Sequence, residues 1–204
     1  MTETAPGLWI VAGPNGAGKT TYAFRHIRTV SGTARFINLD EIARGLSPLD
    51  PAAEPRRAAR VALEMMNAAV TERRSFSLET TLSGRTHLDL VARARRRGFR
   101  VTILFFALPS PEVCLTRIAR RVAEGGHDVL EADVRRRFAR GCANFPAYAG
   151  SADLWRVFDN LAGTPKVVAE GREGCRAMSR PDGAGLPSAL RAVLDAMPPC
   201  PETA

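Results

Sequence analysis

A loop that could hold a polyphosphate lies near the start of the chain. The stretch G-P-N-G-A-G-K-T, residues 13–20, fits the pattern G-x-x-x-x-G-K-[ST] in full and follows a short apolar run. Its glycines let backbone N–H groups turn inward around phosphate oxygens, and the helix that follows adds partial positive charge. In such a loop Lys19 would bridge the β- and γ-phosphates of ATP, and the Thr20 hydroxyl would bind Mg²⁺. The alternative is a Gly-rich turn without a ligand. The ATP-binding residues predicted here are Gly13, Pro14, Asn15, Gly16, Ala17, Gly18, Lys19, Thr20 and Thr21.

Other motifs narrow the class of ATP-binding protein. The base-reading motif N-K-x-D of GTPases is absent, since neither lysine follows an asparagine. The chain has no ABC-transporter signature, and 204 residues are too few for a motor. These observations leave kinases and related phosphotransferases, with ATP and Mg²⁺ as cofactors.

An acidic residue follows the second apolar run and could act as a base. Asp40 comes directly after Phe36-Ile37-Asn38-Leu39, which predicts a strand over residues 35–39. Ligands of α/β sheets sit at the carboxyl ends of strands, where a carboxylate could take the proton of an acceptor hydroxyl. Asp40 could equally be the N-cap of a short helix.

Polar residues also end the third strand candidate, in the stretch S-F-S-L-E-T-T at residues 75–81. Glu79 could bind Mg²⁺ through water or hold a substrate hydroxyl, and Thr81 could bind substrate. The alternative is that Thr80 and Thr81 cap the helix that follows.

Arginines cluster around a Gly-Gly sequence in the second half of the chain. Arg117, Arg120 and Arg121 share one side of a candidate helix, and residues 135–137 form a second group after Gly125-Gly126-His127. Two arginine-lined helices joined at such a hinge are typical of a lid that closes over ATP and stabilises transition-state charge. The alternative is a solvated basic face.

Alternating strands and helices must position these side chains. Apolar runs predict strands over residues 8–12, 35–39, 75–79, 99–108, 154–159 and 166–169. Helices are predicted from residue 19 and over residues 40–45, 55–74, 85–97, 111–123 and 131–142. This order predicts an α/β P-loop kinase fold, with a mostly parallel central sheet flanked by helices and an Arg-rich helical lid.

A change in composition divides the chain after residue 172. Residues 1–172 make the expected P-loop kinase domain, and residues 173–204 a C-terminal extension. The extension is rich in Gly and Pro over residues 179–187 and has a candidate helix over residues 186–197, so we expect a peripheral helix or a partly disordered segment. The four cysteines show neither C-x-x-C nor metal-ligand spacing, which predicts free thiols in a reducing compartment.

The overall composition is that of a globular protein, with 45% hydrophobic and 25% charged residues. The chain begins without a basic, apolar signal sequence and has no apolar run of membrane-spanning length, so we expect a cytoplasmic protein without membrane contact. The net charge of +8 suits polyanionic substrates. We expect no nucleic-acid partner, because Trp9 and Trp155 fall in predicted core strands and leave no aromatic stacking surface.

Taken together, the motifs resemble the zeta-toxin family of P-loop kinases, especially its compact chromosomal members. The resemblance covers residues 8–172 and includes the phosphate loop, N-L-D-E-I-A, F-S-L-E-T-T-L-S-G, R-R-G-F-R-V-T-I-L-F-F, G-G-H-D-V and V-F-D-N. It implies transfer of the ATP γ-phosphate to the 3′-hydroxyl of a UDP-activated amino sugar such as UDP-N-acetylglucosamine. It also implies that any inhibition would come from a separate antitoxin protein.

The resemblance assigns further roles to individual residues. Asp40 matches the family's base, and Glu79 and Thr81 fall on its substrate-binding E-x-T motif. Arg120 matches the first lid arginine, so Asp40, Lys19 and Arg120 are the expected catalytic residues, while Arg135 and Arg136 are candidates for the second lid arginine. Asn160 would lie beside the adenine. Other readings stay open: a phosphotransferase for an antibiotic or nucleoside, a nucleic-acid end-processing protein, or a non-catalytic nucleotide-binding module.

Overall fold

A single twisted sheet brings the predicted functional segments to one edge. The computed structural model describes residues 5–179 and 185–201. Within these residues seven strands lie in the order β2-β3-β1-β4-β5-β6-β7. The strands are β1 (Gly7–Ala12), β2 (Phe36–Ile37), β3 (Phe76–Thr80), β4 (Arg100–Ala107), β5 (Leu154–Asp159), β6 (Lys166–Arg172) and β7 (Cys175–Ser179). Neighbours from β2 to β5 are parallel, and β6 and β7 are antiparallel to their neighbours. The prediction of a mostly parallel sheet is confirmed.

Helices connect the parallel strands and flank the sheet. The first rod combines α1 (Lys19–Tyr22), a π-helical turn (Ala23–Ile27) and α2 (Arg28–Ser31). The others are α3 (Leu39–Leu46), a 3₁₀ turn (Pro51–Ala53), α4 (Pro55–Thr71), α5 (Thr86–Arg96), α6 (Pro111–Ala123), α7 (Glu131–Ala149) and α8 (Ser188–Ala196). None of these helices is long and apolar enough to cross a membrane.

The central strands are apolar because both of their faces are covered. On β1, Leu8 and Ile10 have no exposed surface, and on β4 the same is true of Ile103 and Phe106. Strands buried on both sides read as continuous apolar runs rather than as alternating patterns, which is why β1 and β4 were visible in the sequence. Their rigid ends position the loops that follow them.

The second strand is shorter than the sequence suggested. β2 ends at Ile37, and Leu39 already belongs to α3. Asn38 is the N-cap of this helix, since its side chain accepts hydrogen bonds from the backbone N–H groups of Asp40 and Glu41. The prediction of a strand through Leu39 was therefore wrong, and Asp40 lies in the first turn of α3, neither at a strand end nor at the N-cap.

The segment after residue 172 extends the sheet and adds a helix to the core. β7 pairs with β6, beginning at Arg172 and Cys175, and no pattern in the sequence indicated this strand. Leu190 and Leu194 of α8 are buried in the same hydrophobic core as the central strands. The predicted Gly- and Pro-rich flanks lie partly outside the described residues, at 180–184 and 202–204.

The cysteines form two different classes. Cys175 and Cys200, 25 residues apart in sequence, form a disulfide, so the prediction of free thiols was wrong for this pair. Cys114 and Cys142 are free and buried, as predicted. The chain end returns to β7, where the Cys200 N–H donates to the carbonyl of Arg176 at 2.9 Å. Sequence spacing could not show this approach, because it depends on the path of α8.

Candidate active site

The phosphate loop joins the end of β1 to the start of α1 and is packed tightly against its neighbours. Gly13 has φ 136°, and a Cβ there would lie 2.2 Å from the backbone oxygen of Phe106 on β4. Gly18 has φ 83°, and its Cβ would lie 2.6 Å from the side-chain nitrogen of Asn160. Both positions need glycine, because residues with a Cβ disfavour these positive φ angles and a Cβ would clash with the neighbouring atom. The loop therefore has the tight, glycine-dependent path that is typical of phosphate-binding loops.

Lys19 is buried inside this loop with 6% of its surface exposed. Its Nζ donates to the backbone oxygen of Pro14 at 2.9 Å and lies 3.7 Å from Oε1 of Glu79. Burial lowers the pKa of Lys19 from its ordinary value of 10.5, and the carboxylates of Glu79 and Asp40 act in the opposite direction. The amino group of Lys19 is thus held within the phosphate loop, and the carboxylates of Glu79 and Asp40 are close enough to affect its pKa.

Glu79 is the point where three segments meet. It lies opposite Val11 in the register between β3 and β1, so it stands beside the start of the phosphate loop. The Thr20 hydroxyl lies 3.0 and 2.9 Å from its two carboxylate oxygens, and Asn38 Nδ2 donates to Oε2 at 2.9 Å. The structure therefore brings Lys19, Thr20 and Glu79 together. Asn38 was missed, because an asparagine before a short helix reads as a cap alone.

Asp40 and Thr81 lie near this centre but are held differently. The Asp40 side chain is exposed on the first turn of α3, and its negative charge acts to raise the pKa of Lys19. Thr81 donates from its hydroxyl to Ser83 Oγ at 3.0 Å. Thr80 accepts from the Leu82 N–H at 3.2 Å, whereas α5 begins only at Thr86. Thr80 and Thr81 therefore shape the loop after β3 and do not cap α5.

The loop after β3 is clamped by α7, a feature that the sequence did not indicate. Leu82 is fully buried with φ 54°, a strained conformation for a residue with a Cβ. Asn144 Nδ2 donates to the Leu82 carbonyl at 2.8 Å, and the Tyr148 hydroxyl donates to the Gly84 carbonyl at 2.9 Å. A Cβ on Gly141 would lie 2.7 Å from the Thr81 carbonyl oxygen. One face of α7 thus fixes the backbone that carries Thr81.

Asn160 and Arg117 tie the loop after β5 to the phosphate loop. Asn160 is 4% exposed, and its Nδ2 donates to the Ala17 carbonyl at 2.8 Å. Arg117 donates to the carbonyls of Gly16, Asn160 and Leu161 at 3.3, 2.7 and 2.8 Å. Arg117 is therefore a brace between two loops, a role that the arginine pattern alone could not distinguish from lid function.

Of the other arginines of the predicted lid, Arg120, Arg135 and Arg136 are surface residues, whereas Arg121 is half-buried and donates to the His127 carbonyl. Arg120 is 83% exposed and pairs with Glu124 at 3.1 Å. Arg135 pairs with Glu112 and Glu131, and Arg136 pairs with Asp133. The contacts of the described residues bring Arg117 to the phosphate loop and leave Arg120, Arg135 and Arg136 away from it. The catalytic role of Arg120 stays a prediction.

The residues present fit a nucleotide with Mg²⁺. No cluster of three or more His, Cys, Asp or Glu side chains suited to a metal exists among the described residues. Mg²⁺ keeps several waters and takes few protein oxygens beside substrate phosphates, so Thr20 and Glu79 form a sufficient donor set. The buried side-chain oxygens of Asn15 and Asn160 have no hydrogen-bond partner. Such unpaired acceptors beside a phosphate loop fit a ligand that donates hydrogen bonds.

Comparison with known proteins agrees with this geometry. A family model described as an AAA domain matches residues 8–142, more than half of the chain. The chain belongs to this AAA domain family. The match covers the phosphate loop, Asp40, Glu79 and helix α6. An uncharacterized protein from Haemophilus influenzae is 30% identical over 140 residues, which are 64% of this chain and 96% of that protein.

Two solved structures share the fold of this AAA domain chain at low sequence identity. The AvrRxo1-ORF1:-ORF2 complex with ATP has a TM-score of 0.63 and 17% identity, over 98% of this chain and 66% of that one. The PezAT chromosomal toxin-antitoxin system of Streptococcus pneumoniae has a TM-score of 0.62 and 15% identity, over 83% of this chain and 73% of that one. The chain thus spans just under two thirds of the AvrRxo1 chain. These likenesses establish the fold of the P-loop kinase-like domain.

Proposed function

We propose that this protein is an ATP-dependent kinase that transfers the γ-phosphate of ATP to a hydroxyl group of a UDP-activated amino sugar. The observation that supports this most strongly is the convergence of Lys19, Thr20 and Glu79 at the ends of β1 and β3, with Asp40 close enough to influence Lys19. Phosphoryl transfer requires a cation at the phosphates, a metal site and a base near the acceptor, and these residue types supply all three.

The proposed reaction assigns one task to each residue. Lys19, whose Nζ lies at the Pro14 carbonyl, would bind the β- and γ-phosphates, and the Thr20 hydroxyl beside Glu79 would hold Mg²⁺. Bound Mg²⁺ would neutralise charge on the phosphate oxygens. Asp40 accepts the proton of the acceptor hydroxyl, whose oxygen forms the new bond to the γ-phosphorus as the bond to the bridging oxygen breaks and ADP departs. Arg120, with only a surface ion pair to lose, can swing in from the lid.

The acceptor side of the site is formed by the α3 start and the loop after β3. Asp40 lies on the first turn of α3, and Thr81 lies on the backbone that α7 clamps. The proposal that the acceptor is a UDP-amino sugar comes from the resemblance of N-L-D-E-I-A and F-S-L-E-T-T-L-S-G to zeta toxins.

The proposed function predicts an acceptor-specific transfer reaction. Labelled γ-phosphate should pass from ATP·Mg²⁺ to a UDP-amino sugar in a panel that also contains nucleosides, aminoglycosides and oligonucleotides. The product should disappear in Lys19→Ala and in Asp40→Asn. Wild-type ATP binding without transfer to any UDP-sugar would overturn the acceptor assignment and leave the phosphate-loop assignment standing.

A separate inhibitory protein is also part of the proposal. It is supported by the likeness to the PezAT toxin-antitoxin system and by the two-protein AvrRxo1-ORF1:-ORF2 complex. Expression of the wild-type chain alone in a bacterial host should then slow growth, and the Asp40→Asn variant should not. Equal growth with both would contradict a toxic activity that needs an antitoxin.

A further inference from the structure

The side chain of Asn38 makes three hydrogen bonds that serve two different segments. Only 5% of the residue is exposed. Its Oδ1 accepts from the backbone N–H groups of Asp40 at 2.8 Å and Glu41 at 3.2 Å, and its Nδ2 donates to Glu79 Oε2 at 2.9 Å. Two backbone donors at one end require oxygen there, so the other end must be the amino group, which suits a carboxylate. The amide orientation is therefore fixed by its partners.

Two of the three side chains that contact Glu79 are those that a nucleotide would engage. Lys19 is expected to move to the β- and γ-phosphates, and the Thr20 hydroxyl oxygen to Mg²⁺. The amino group of Asn38 can do neither, because it has no free lone pair for a metal and lies between Glu79 and the start of α3. Asn38 is thus the partner that stays on Glu79 when ATP·Mg²⁺ is bound.

We infer that Asn38 is a positioning residue that holds the Glu79 carboxylate toward the metal while its other end sets the first turn of α3, which carries Asp40. A single buried amide thereby fixes the distance between the ATP·Mg²⁺ side and the acceptor side of the site. The inference rests on the proposed function for its ATP·Mg²⁺ chemistry, but it does not depend on the identity of the acceptor.

Asn38 could act only as the cap of α3, or it could also hold Glu79 toward the metal. Substitutions that keep the cap but remove the bond to Glu79 separate these two roles. Serine and aspartate cap helices about as well as asparagine. Asn38→Ser is too short to reach Glu79 from the cap position, so it retains the start of α3 and loses the bond to Glu79, whereas Asn38→Ala loses both. Asn38→Asp is unsuitable, because its added carboxylate would repel Glu79 and could itself bind Mg²⁺. Asn67→Ser on α4 is a matched control, because it makes the same change at a side chain whose Oδ1 has no partner.

The experiment measures ATP affinity by calorimetry in EDTA and in Mg²⁺, so that no acceptor is needed. We expect Asn38→Ser to leave the affinity in EDTA within about twofold of wild type. The gain in affinity that Mg²⁺ confers should fall about tenfold, as for loss of one charge-assisted hydrogen bond. Asn67→Ser should match wild type in both conditions. Thermal unfolding of each variant verifies that the fold persists.

The outcomes distinguish this inference from the proposed function. A Mg²⁺-dependent gain in Asn38→Ser equal to that of wild type would overturn the positioning role, and so would a loss of affinity that is the same in EDTA and Mg²⁺. Failure of the wild-type protein to bind ATP at all would instead overturn the proposed function, and the inference with it. A wild-type protein that phosphorylates no UDP-sugar would still give both ATP affinities, in EDTA and in Mg²⁺, so the inference about Asn38 would still be tested.

Discussion

The Thr20 hydroxyl lies within 3.0 Å of both carboxylate oxygens of Glu79, although the two residues are 59 positions apart in the sequence. This contact joins the phosphate loop to the end of β3, the strand that pairs with β1. It places Thr20, the predicted ligand of Mg²⁺, beside Glu79, which the sequence analysis left open as a water-mediated Mg²⁺ partner or a group that holds a substrate hydroxyl.

We expect Thr20→Val to lower kcat about 100-fold or more, since an interaction with the transferring phosphate's metal is lost. Thr20→Ser keeps the hydroxyl and should retain most of the activity. Steady-state assays at varied Mg²⁺ check this, and the valine variant should also lose most of the Mg²⁺ dependence of ATP binding. A valine variant that responds to Mg²⁺ like wild type would contradict the assignment of Thr20.

Lys19→Met should abolish transfer yet leave the protein at least as stable as wild type near neutral pH. Burial lowers the pKa of Lys19, so the folded state disfavours its charge. Between that lowered pKa and 10.5 the unfolded chain binds more protons than the native protein, so wild-type stability rises with pH in this window. The advantage of Lys19→Met should therefore be greatest below the window and shrink toward pH 10.5.

Urea titrations of wild type and Lys19→Met at several pH values test whether the stability advantage of the variant shrinks as the pH rises. The comparison of the two proteins cancels the contributions of titrating groups that do not interact with Lys19. A variant that is less stable than wild type at pH 7 would show that the interaction with Glu79 outweighs the burial of the lysine charge.

Arg117→Ala and Arg120→Ala should affect different properties. Arg117 bonds three backbone carbonyls, two of them in part-buried bonds, so its loss frees the two loops that it joins and should lower both the unfolding midpoint and ATP affinity. Arg120 is a surface residue paired with Glu124, and exposed pairs contribute little to stability. If it is the lid arginine, Arg120→Ala should keep the midpoint and the ATP affinity but lower kcat about 100-fold. Normal turnover in Arg120→Ala would remove it from the mechanism.

The parts of this structure that the sequence predicted are those with a strong local signal. The phosphate loop, the buried strands β1 and β4, and helix α6 (Pro111–Ala123) follow from apolar runs, glycines and helix starts. The end of α7 was missed by seven residues, because Gly141 and Pro146 oppose helix formation locally while Phe145 and Tyr148 gain burial in the core. The burial of these two side chains outweighs the local preferences and extends α7 to Ala149.

The missed parts of the site depend on contacts between distant segments. The bond from Asn38 to Glu79 spans 41 residues, and the bond from Asn144 to the Leu82 carbonyl spans 62. No periodicity or motif encodes such pairs. The sequence could therefore name Lys19, Thr20 and Glu79 by motif, but it could not identify the residues that hold them in place.

Gly141→Ala and Gly45→Ala should change stability in opposite directions. Both glycines lie within helices, where alanine is ordinarily favoured by about 1 kcal/mol. A Cβ at Gly45 meets nothing within 4 Å, so Gly45→Ala should stabilise the protein. A Cβ at Gly141 would lie 2.7 Å from the Thr81 carbonyl, so Gly141→Ala should destabilise it by about 1–3 kcal/mol and raise the KM for the acceptor. Equal shifts of the thermal midpoint in the two variants would contradict the close packing of α7 on the loop after β3.

The disulfide between Cys175 and Cys200 should contribute to stability chiefly by constraining the unfolded chain. A cross-link that closes a loop of 25 residues removes unfolded-state entropy worth about 3–4 kcal/mol. The chain end also makes backbone bonds between Arg176 and both Pro198 and Cys200, so the native segment should stay docked after reduction. Reduction should therefore lower the unfolding midpoint without changing the fold, and Cys175→Ser/Cys200→Ser should match the reduced protein.

Thiol counting provides the direct measurement of this bond. Burial raises the pKa of Cys114 to about 12 and that of Cys142 to about 11, so neither should react with a thiol reagent at pH 8 in the native protein. Denatured protein that was never exposed to reductant should show two thiols, and four after reduction. Four thiols before reduction would mean that the pair is not bonded in the isolated protein, and the midpoint should then be insensitive to reductant. The double variant is the control, since it must show two thiols in both conditions.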